Sequence, residues 1–313
     1  MRFDTAPAVT LTEGHAAVHQ SIVGDRLRLP LDTTLSTRVT GRSPLAHPAL
    51  VWNLAIGQST LATRQVKANL FYRGLAFHRA PTIGDTLHTT TTVVALHQNS
   101  PKPNRPATGL AALHIITVDQ QSRPILDFHR CAMLPLRNQN AETGHTDDLS
   151  TIGTETNLAT AKASFADWNL AAYPDSTPSA SDLHPGMSWQ ISGGDTVSSA
   201  PELARLTLNI AAVHHDSTAA GGRRLVYGGH TIALALAQIT RDLPGLVTVP
   251  AWHSCDHTAP VYEGDTLRTH ITIDSLTPLG DHAALLDLHA VVTADRDDGR
   301  VPVLDWRFLA LHR

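Results

Sequence analysis

The sequence predicts an α+β fold of two tandem units, each a long helix wrapped by an antiparallel sheet. The first observation behind this is that the chain repeats itself. Ala80-Pro81-Thr82-Ile83-Gly84-Asp85-Thr86-Leu87 returns as Ala259-Pro260-Val261-Tyr262-Glu263-Gly264-Asp265-Thr266-Leu267, and Pro124-Ile125-Leu126-Asp127-Phe128 returns as Pro302-Val303-Leu304-Asp305-Trp306. Both pairs lie about 180 residues apart and in the same order, a spacing too long for a solenoid and suited to domain duplication. The second observation is that in each half a stretch with helical periodicity is followed by β-branched runs.

The first half places Pro48 at a helix start, with Leu50, Leu54 and Leu61 on the apolar stretch behind it. His88 to Leu96 reads as a strand entered through a Gly-Asp turn, and the half closes on an apolar strand from Met133 to Arg137. Asn138 to about Ser164 is rich in Asn, Thr, Ser, Gly and acidic residues without apolar periodicity, and most of it reads as a surface linker. In the second half Gly228 and Gly229 lead into Ile232, Ala235, Leu236 and Ile239 at helical spacing, and Pro244-Gly245 stops the run. Strands are expected over Arg268 to Leu276 and through Leu286, Leu288, Ala290 and Val292, which alternate with Asp287 and His289; the last runs from Leu309 to Arg313. The expected organisation is an N-terminal unit 1–137, a linker 138–164 and a C-terminal unit 165–313. Two copies in one chain would pair as an internal pseudo-dimer, with further pairing into a homodimer left open.

With 313 residues, 42% of them hydrophobic, the chain can bury a large core. A net charge of −4 without cationic clusters offers nothing to nucleic acid or an anionic membrane. The N-terminus lacks the basic start and apolar stretch of a signal peptide, and no apolar run is long enough to span a bilayer, so a cytoplasmic protein is expected. Two cysteines, Cys131 and Cys255, are too few for a disulfide framework. No dinucleotide or phosphate loop is present, and no cofactor is called for. His253, Cys255 and His257 alternate on one strand face and invite a metal hypothesis, but their repeat counterpart, Phe71 to Arg79, carries no ligand set. No metal site is therefore expected.

The stretch richest in chemistry is Leu208 to His230, which sets Asn209, His214, Asp216 and Tyr227 before a glycine-led helix. It resembles the motif of MaoC-like, R-specific enoyl-CoA hydratases, Gly-Asp-x-Asn-Pro-(Leu/Ile)-His-x-Asp. Aligned without gaps, the motif histidine falls on His214, its last aspartate on Asp216 and its catalytic aspartate on Asn209. Gly24 to Asp32 fits the same frame with the aspartate kept as Asp25 and the histidine replaced by Pro30. Gly222 to His230 is similar to mesaconyl-CoA hydratase-like proteins, a subgroup in which asparagine also stands at the aspartate position. Val23 to Leu87 is similar to mycobacterial double-hotdog proteins. The resemblance implies a double hotdog fold, with a thioester of coenzyme A or acyl-carrier protein held between the halves.

Hydration of a conjugated thioester needs a base for water, an acid for the α-carbon and donors for the developing enolate oxygen. A near-neutral histidine suits the first task, and the glycine-led start of a helix suits the last. His214, Asn209 and Asp216 are the expected catalytic residues. Gly228, Gly229, Tyr227, His230 and Asp25 are the expected substrate contacts, with Gly229 the chosen oxyanion donor. Two other classes compete: a binder of acyl thioesters, favoured by the broken Asp/His pair, and a thioesterase using Gln58 or Ser59.

Overall fold

The protein, seen as a computed structural model, is described over residues 1–42, 44–280, 282–297 and 299–313. Its first half runs β1 (Arg2–Phe3), β2 (Val9–Thr10), α1 (Glu13–Val23), α2 (Arg28–Leu31), α3 (Thr33–Thr40), α4 (Pro48–Ser59), β3 (Ala68–Phe77), β4 (Thr86–Gln98), β5 (Thr108–Val118) and β6 (Pro124–Pro135). After α5 (Leu158–Ala163) the second half runs β7 (Ser188–Gln190), β8 (Asp195–Thr196), α6 (Ala200–Leu206), α7 (Gly228–Asp242), β9 (Leu246–His257), β10 (Thr266–Pro278), β11 (Ala284–Arg296) and β12 (Gly299–His312). Each half thus has a central helix, α4 or α7, followed by four long strands, where the repeat predicts a helix and then several strands.

The two sheets are one. Their order is β1-β4-β5-β6-β3-β9-β12-β11-β10-β7, with β2 beside β4 and β8 beside β10. The halves join where β3 meets β9 antiparallel, in register Phe71 to Asp256, Tyr72 to Cys255 and Ala76 to Ala251. Each half therefore covers the edge strand that the other would expose. The repeated Gly-Asp turns explain their own conservation within the chain. Gly84 and Gly264 sit at φ +102° and +94°, and the Asp85 and Asp265 carboxylates accept the amide N–H groups of Thr82 and Tyr262.

The helical periodicity understates burial. Every residue of α4, and all from Gly229 to Thr240 in α7, is buried, because the two helices pack on each other inside the wrapping sheet. One apolar cluster spans both halves. Trp52 of α4 meets Trp252 and Trp306 of the second half edge-on, with ring centroids 4.8 and 6.3 Å away.

The segment expected to be a linker has a packing role at its end. Ala161 of α5 is fully buried, and it joins Phe165, Trp168 and Tyr173 in a second cluster with Leu29, Leu45 and Val247. Among the described residues no helix is long and apolar enough to cross a membrane.

Candidate active site

A cavity of about 740 Å³ opens between the halves. Its walls come from the Asn209–Gly228 loop and the start of α7, from the end of β9 and the turn after it, and from β3, β6 and the C-terminal end of α4 in the first half. Among its lining residues are His214, Asn209, Tyr227, Gly228, His257, Tyr72 and Arg130. The volume is in the range of a small-molecule site.

The loop is fixed residue by residue. Asn209 Oδ1 accepts the Ala211 amide N–H at 3.0 Å, an Asx turn, which leaves its NH₂ as the group free to donate. The Ile210 amide N–H donates to Thr60 Oγ1 at 2.9 Å, anchoring the loop to the end of the first half's helix. His214 closes a one-turn 3₁₀ helix (Ala212–His214), and its Nδ1–H donates to the Leu225 carbonyl at 2.9 Å. That bond fixes the tautomer and leaves Nε2 as the lone-pair nitrogen. Burial, with His215 and Arg130 nearby, lowers the His214 pKa to about 4, so the ring is neutral at pH 7.

The helix N-terminus differs from the expectation. Gly228 lines the cavity, whereas Gly229 faces α4, where an added Cβ would lie 2.0 Å from Asn53 Oδ1. Of the two glycines it is therefore Gly228, not the expected Gly229, that lines the cavity. Tyr227, the N-cap of α7, makes no side-chain cap; its OH donates to the Asn53 carbonyl at 2.8 Å, so the first amide N–H groups of α7 stay uncapped by a side chain.

Three further expectations meet the structure differently. Asp216 is exposed and does not line the cavity; it accepts the Thr218 amide N–H at 2.8 Å and so anchors a turn whose Thr218 does. Asp25 is buried away from the cavity, 3.0 Å from His47 Nε2, and also accepts the Leu27 amide N–H. His230 is buried in the first turn of α7 and does not line the cavity. In all three cases the motif position is kept while the chain path turns the side chain elsewhere.

His253, Cys255 and His257 diverge. His253 bonds Thr156 Oγ1 and approaches Asp287, and Cys255 is fully buried. His257 reaches the cavity beside Gly228, whose added Cβ would lie 2.5 Å from His257 Nε2. Burial first, then His214, lowers its pKa to about 4. Sequence reasoning missed His257 and Arg130 as site residues. For Arg130 a signal existed: strand alternation puts it on the same face as Phe128 and Ala132, and all three are buried.

The corresponding place in the first half is filled. Leu29, Pro30, Leu45, Pro48, Phe77 and Trp168 surround a remnant of about 20 Å³. Pro30 stands where the second half has His214. Pro48, lacking an N–H, stands where it has Gly228, and His47 Nδ1 accepts the next helix amide, that of Ala49, at 3.0 Å. The first half thus lacks the imidazole, the open helix start and the volume found in the second.

Fold and site define a tandem hotdog protein with an open cavity between its halves. Comparison with known proteins bears on which family this is. No family profile matches the chain. It is 30% identical over 309 residues, 95% of its length and 86% of the relative's, to a β-methylmalyl-CoA dehydratase of Chloroflexus aurantiacus. It is also 30% identical over 209 residues to a mesaconyl-CoA hydratase of Cereibacter sphaeroides, covering 64% of this chain and 59% of that one. Among solved structures, a conserved hypothetical protein of Mycobacterium tuberculosis described as a double hotdog superposes with TM-score 0.92 at 53% identity, covering 100% of this chain and 96% of that one. The chain belongs to the MaoC-like, double-hotdog family of CoA hydratases and dehydratases.

Proposed function

We propose that the chain catalyses reversible addition of water across the α,β double bond of an acyl-CoA thioester in the cavity lined by His214, Asn209 and Gly228. The observation that carries this reading is their convergence: a tautomer-fixed neutral imidazole, a carboxamide and a helix start without a side-chain cap share one cavity. His214 Nε2 takes a proton from water as the water oxygen bonds to the β-carbon, and the Asn209 NH₂ donates to that oxygen to hold it. The double-bond electrons move toward the thioester oxygen, which accepts from the Gly228 N–H at the positive end of α7. The imidazolium then delivers its proton to the α-carbon, and His214 ends as it began. An asparagine cannot take the proton, so one base carries it both ways. The names hydratase and dehydratase, borne by two relatives, describe the two directions of such a reaction. Lys67, exposed among the lining residues, offers a cation to the phosphates of the thioester carrier.

The test is loss of conjugated-thioester absorbance over a panel of enoyl-CoA substrates, for wild type beside His214→Ala. The expected outcome is hydration by wild type and a fall in kcat of roughly 10²- to 10⁴-fold in the variant. Asn209 at the aspartate position favours one other reading, a binder. Acyl-CoA binding by wild type without turnover of any panel member would establish that instead.

A further inference from the structure

The loop that carries Asn209 is held from outside its own half. Thr60 stands immediately after α4 and is buried. Its Oγ1 donates to the Gly57 carbonyl at 2.5 Å, which commits the hydroxyl hydrogen, and accepts the Ile210 N–H at 2.9 Å. Asn209 is thereby pinned: its Oδ1 accepts the Ala211 N–H, and the amide between those two residues is tied to the first half. The duplication repeats this device. Asp25, the counterpart of Asn209, accepts the Leu27 N–H at 2.6 Å, and the Arg26 N–H donates to Thr240 Oγ1 at 3.3 Å. Thr240 and Thr60 stand equally far from the starts of α7 and α4.

The two anchors differ in what lies around them. Arg130, 2% exposed on the inner face of β6, donates to Ser59 Oγ at 2.8 Å and Thr63 Oγ1 at 2.7 Å, clamping the chain on both sides of Thr60. The corresponding residues of the second half, Phe308, Ile239 and Leu243, are buried and apolar. A buried guanidinium is costly to desolvate, and packing alone does not call for one there. Gly57 admits the Thr207 carbonyl at a place where a Cβ would meet it, whereas its counterpart in α7 is Ala237. The clamped anchor therefore serves the loop at the open cavity, and the plain one serves the loop of the filled half.

We propose that Thr60 is a positioning residue for Asn209, so that the reaction in the second half depends on a hydroxyl supplied by the first. This rests on the proposed hydration for the reaction itself, while the anchor stands on the bonds of Thr60. Asn209 cannot take a proton, and its contribution is to hold the attacking water with its NH₂. Such a role has value only if the carboxamide is fixed relative to His214, and a displacement of about 1 Å would forfeit much of it. Thr60 also lines the cavity, but its hydroxyl is engaged by Gly57 and Ile210, and it acts through Asn209.

The test compares wild type with Thr60→Val and Thr60→Ala, which remove the hydroxyl with and without its volume, and with Thr60→Ser and Thr240→Val. Turnover is read on the enoyl-CoA that wild type hydrates fastest, and loop motion by hydrogen exchange across residues 207–214. Thr60→Val and Thr60→Ala are expected to lower kcat by about 10- to 100-fold with KM within about 2-fold, and to speed exchange. Thr60→Ser keeps the hydroxyl and is expected to restore both readouts. Thr240→Val loses the equivalent bond in the filled half, so its Tm is expected to fall as in Thr60→Val while kcat is unchanged. Wild-type kcat in Thr60→Val or Thr60→Ala overturns the proposal. An equal loss of kcat in Thr240→Val also overturns it, since both anchors would then serve stability alone. If wild type hydrates no enoyl-CoA, the hydration reading falls; faster exchange in the Thr60 variants would still keep the anchor, and unchanged exchange would overturn it too.

Discussion

His214 owes its chemistry to its setting. The Leu225 carbonyl holds Nδ1–H, and burial keeps the ring neutral to about pH 4. A base acts only when unprotonated, so activity is lost as the pH falls through the folded pKa. The acid limb of kcat/KM is expected near pH 4 to 5, with a plateau from about 5.5 to 8. A limb near 6.5, measured on an enoyl-CoA that wild type hydrates, would mean that the imidazole is solvated in the free protein. At this scale the sequence singled out His214, Asn209, Tyr227 and Gly228, which line one cavity, because a motif keeps spacing as well as residue type. It did not identify which side chains the loop turns inward. Asp216 shares the motif and serves an exposed turn, whereas His257 and Arg130 reach the cavity from distant strands.

The two long helices start differently, and the proposed reaction uses the start of only one of them. α7 begins with glycines that leave amide groups open, while α4 begins with a proline and has its next amide taken by His47. Their C-terminal ends differ too, since α4 ends against the loop that carries Asn209. Gly57 is the contact: an added Cβ would lie 1.9 Å from the Thr207 carbonyl oxygen. Backbone cannot yield as a flexible side chain would, so Gly57→Ala is expected to cost about 2 kcal/mol or more. Thermal unfolding would read this as a clear fall in Tm, and an unchanged Tm would show that the loop moves freely. The elements themselves were legible, since glycine, proline and periodicity act locally. α5 was not, because its short helix becomes evident through Ala161, buried by contacts with the second half.

The molecule as a whole stores neutral histidine in its core. Burial holds His214, His230 and His312 to about 4, against an ordinary value of 6.5 that unfolding restores. The unfolded chain therefore binds more protons between those values. Stability from these groups is complete above about pH 6.5 and is lost as the pH falls toward 4, with a slope of up to about 1.4 kcal/mol per pH unit for each histidine. Tm is expected to be level from pH 7 to 8 and to drop by roughly 5 °C or more between pH 7 and 5. A flat Tm across that lower range, followed by circular dichroism, would contradict the neutral burial of these rings.

By itself the sequence determined the duplication, the α+β class, the helix starts, the strand runs and the family motif, because each rests on residues close together or on their repetition. The tertiary structure decided the rest. Joining β3 to β9 makes one sheet of two units and sets β3 and β6 of the first half opposite the second half's loop, so the cavity belongs to both. Phe77 and Trp168 fill the place in the first half that corresponds to the second half's cavity. Those outcomes depend on contacts between residues far apart in the chain, which local pattern cannot specify and packing must choose.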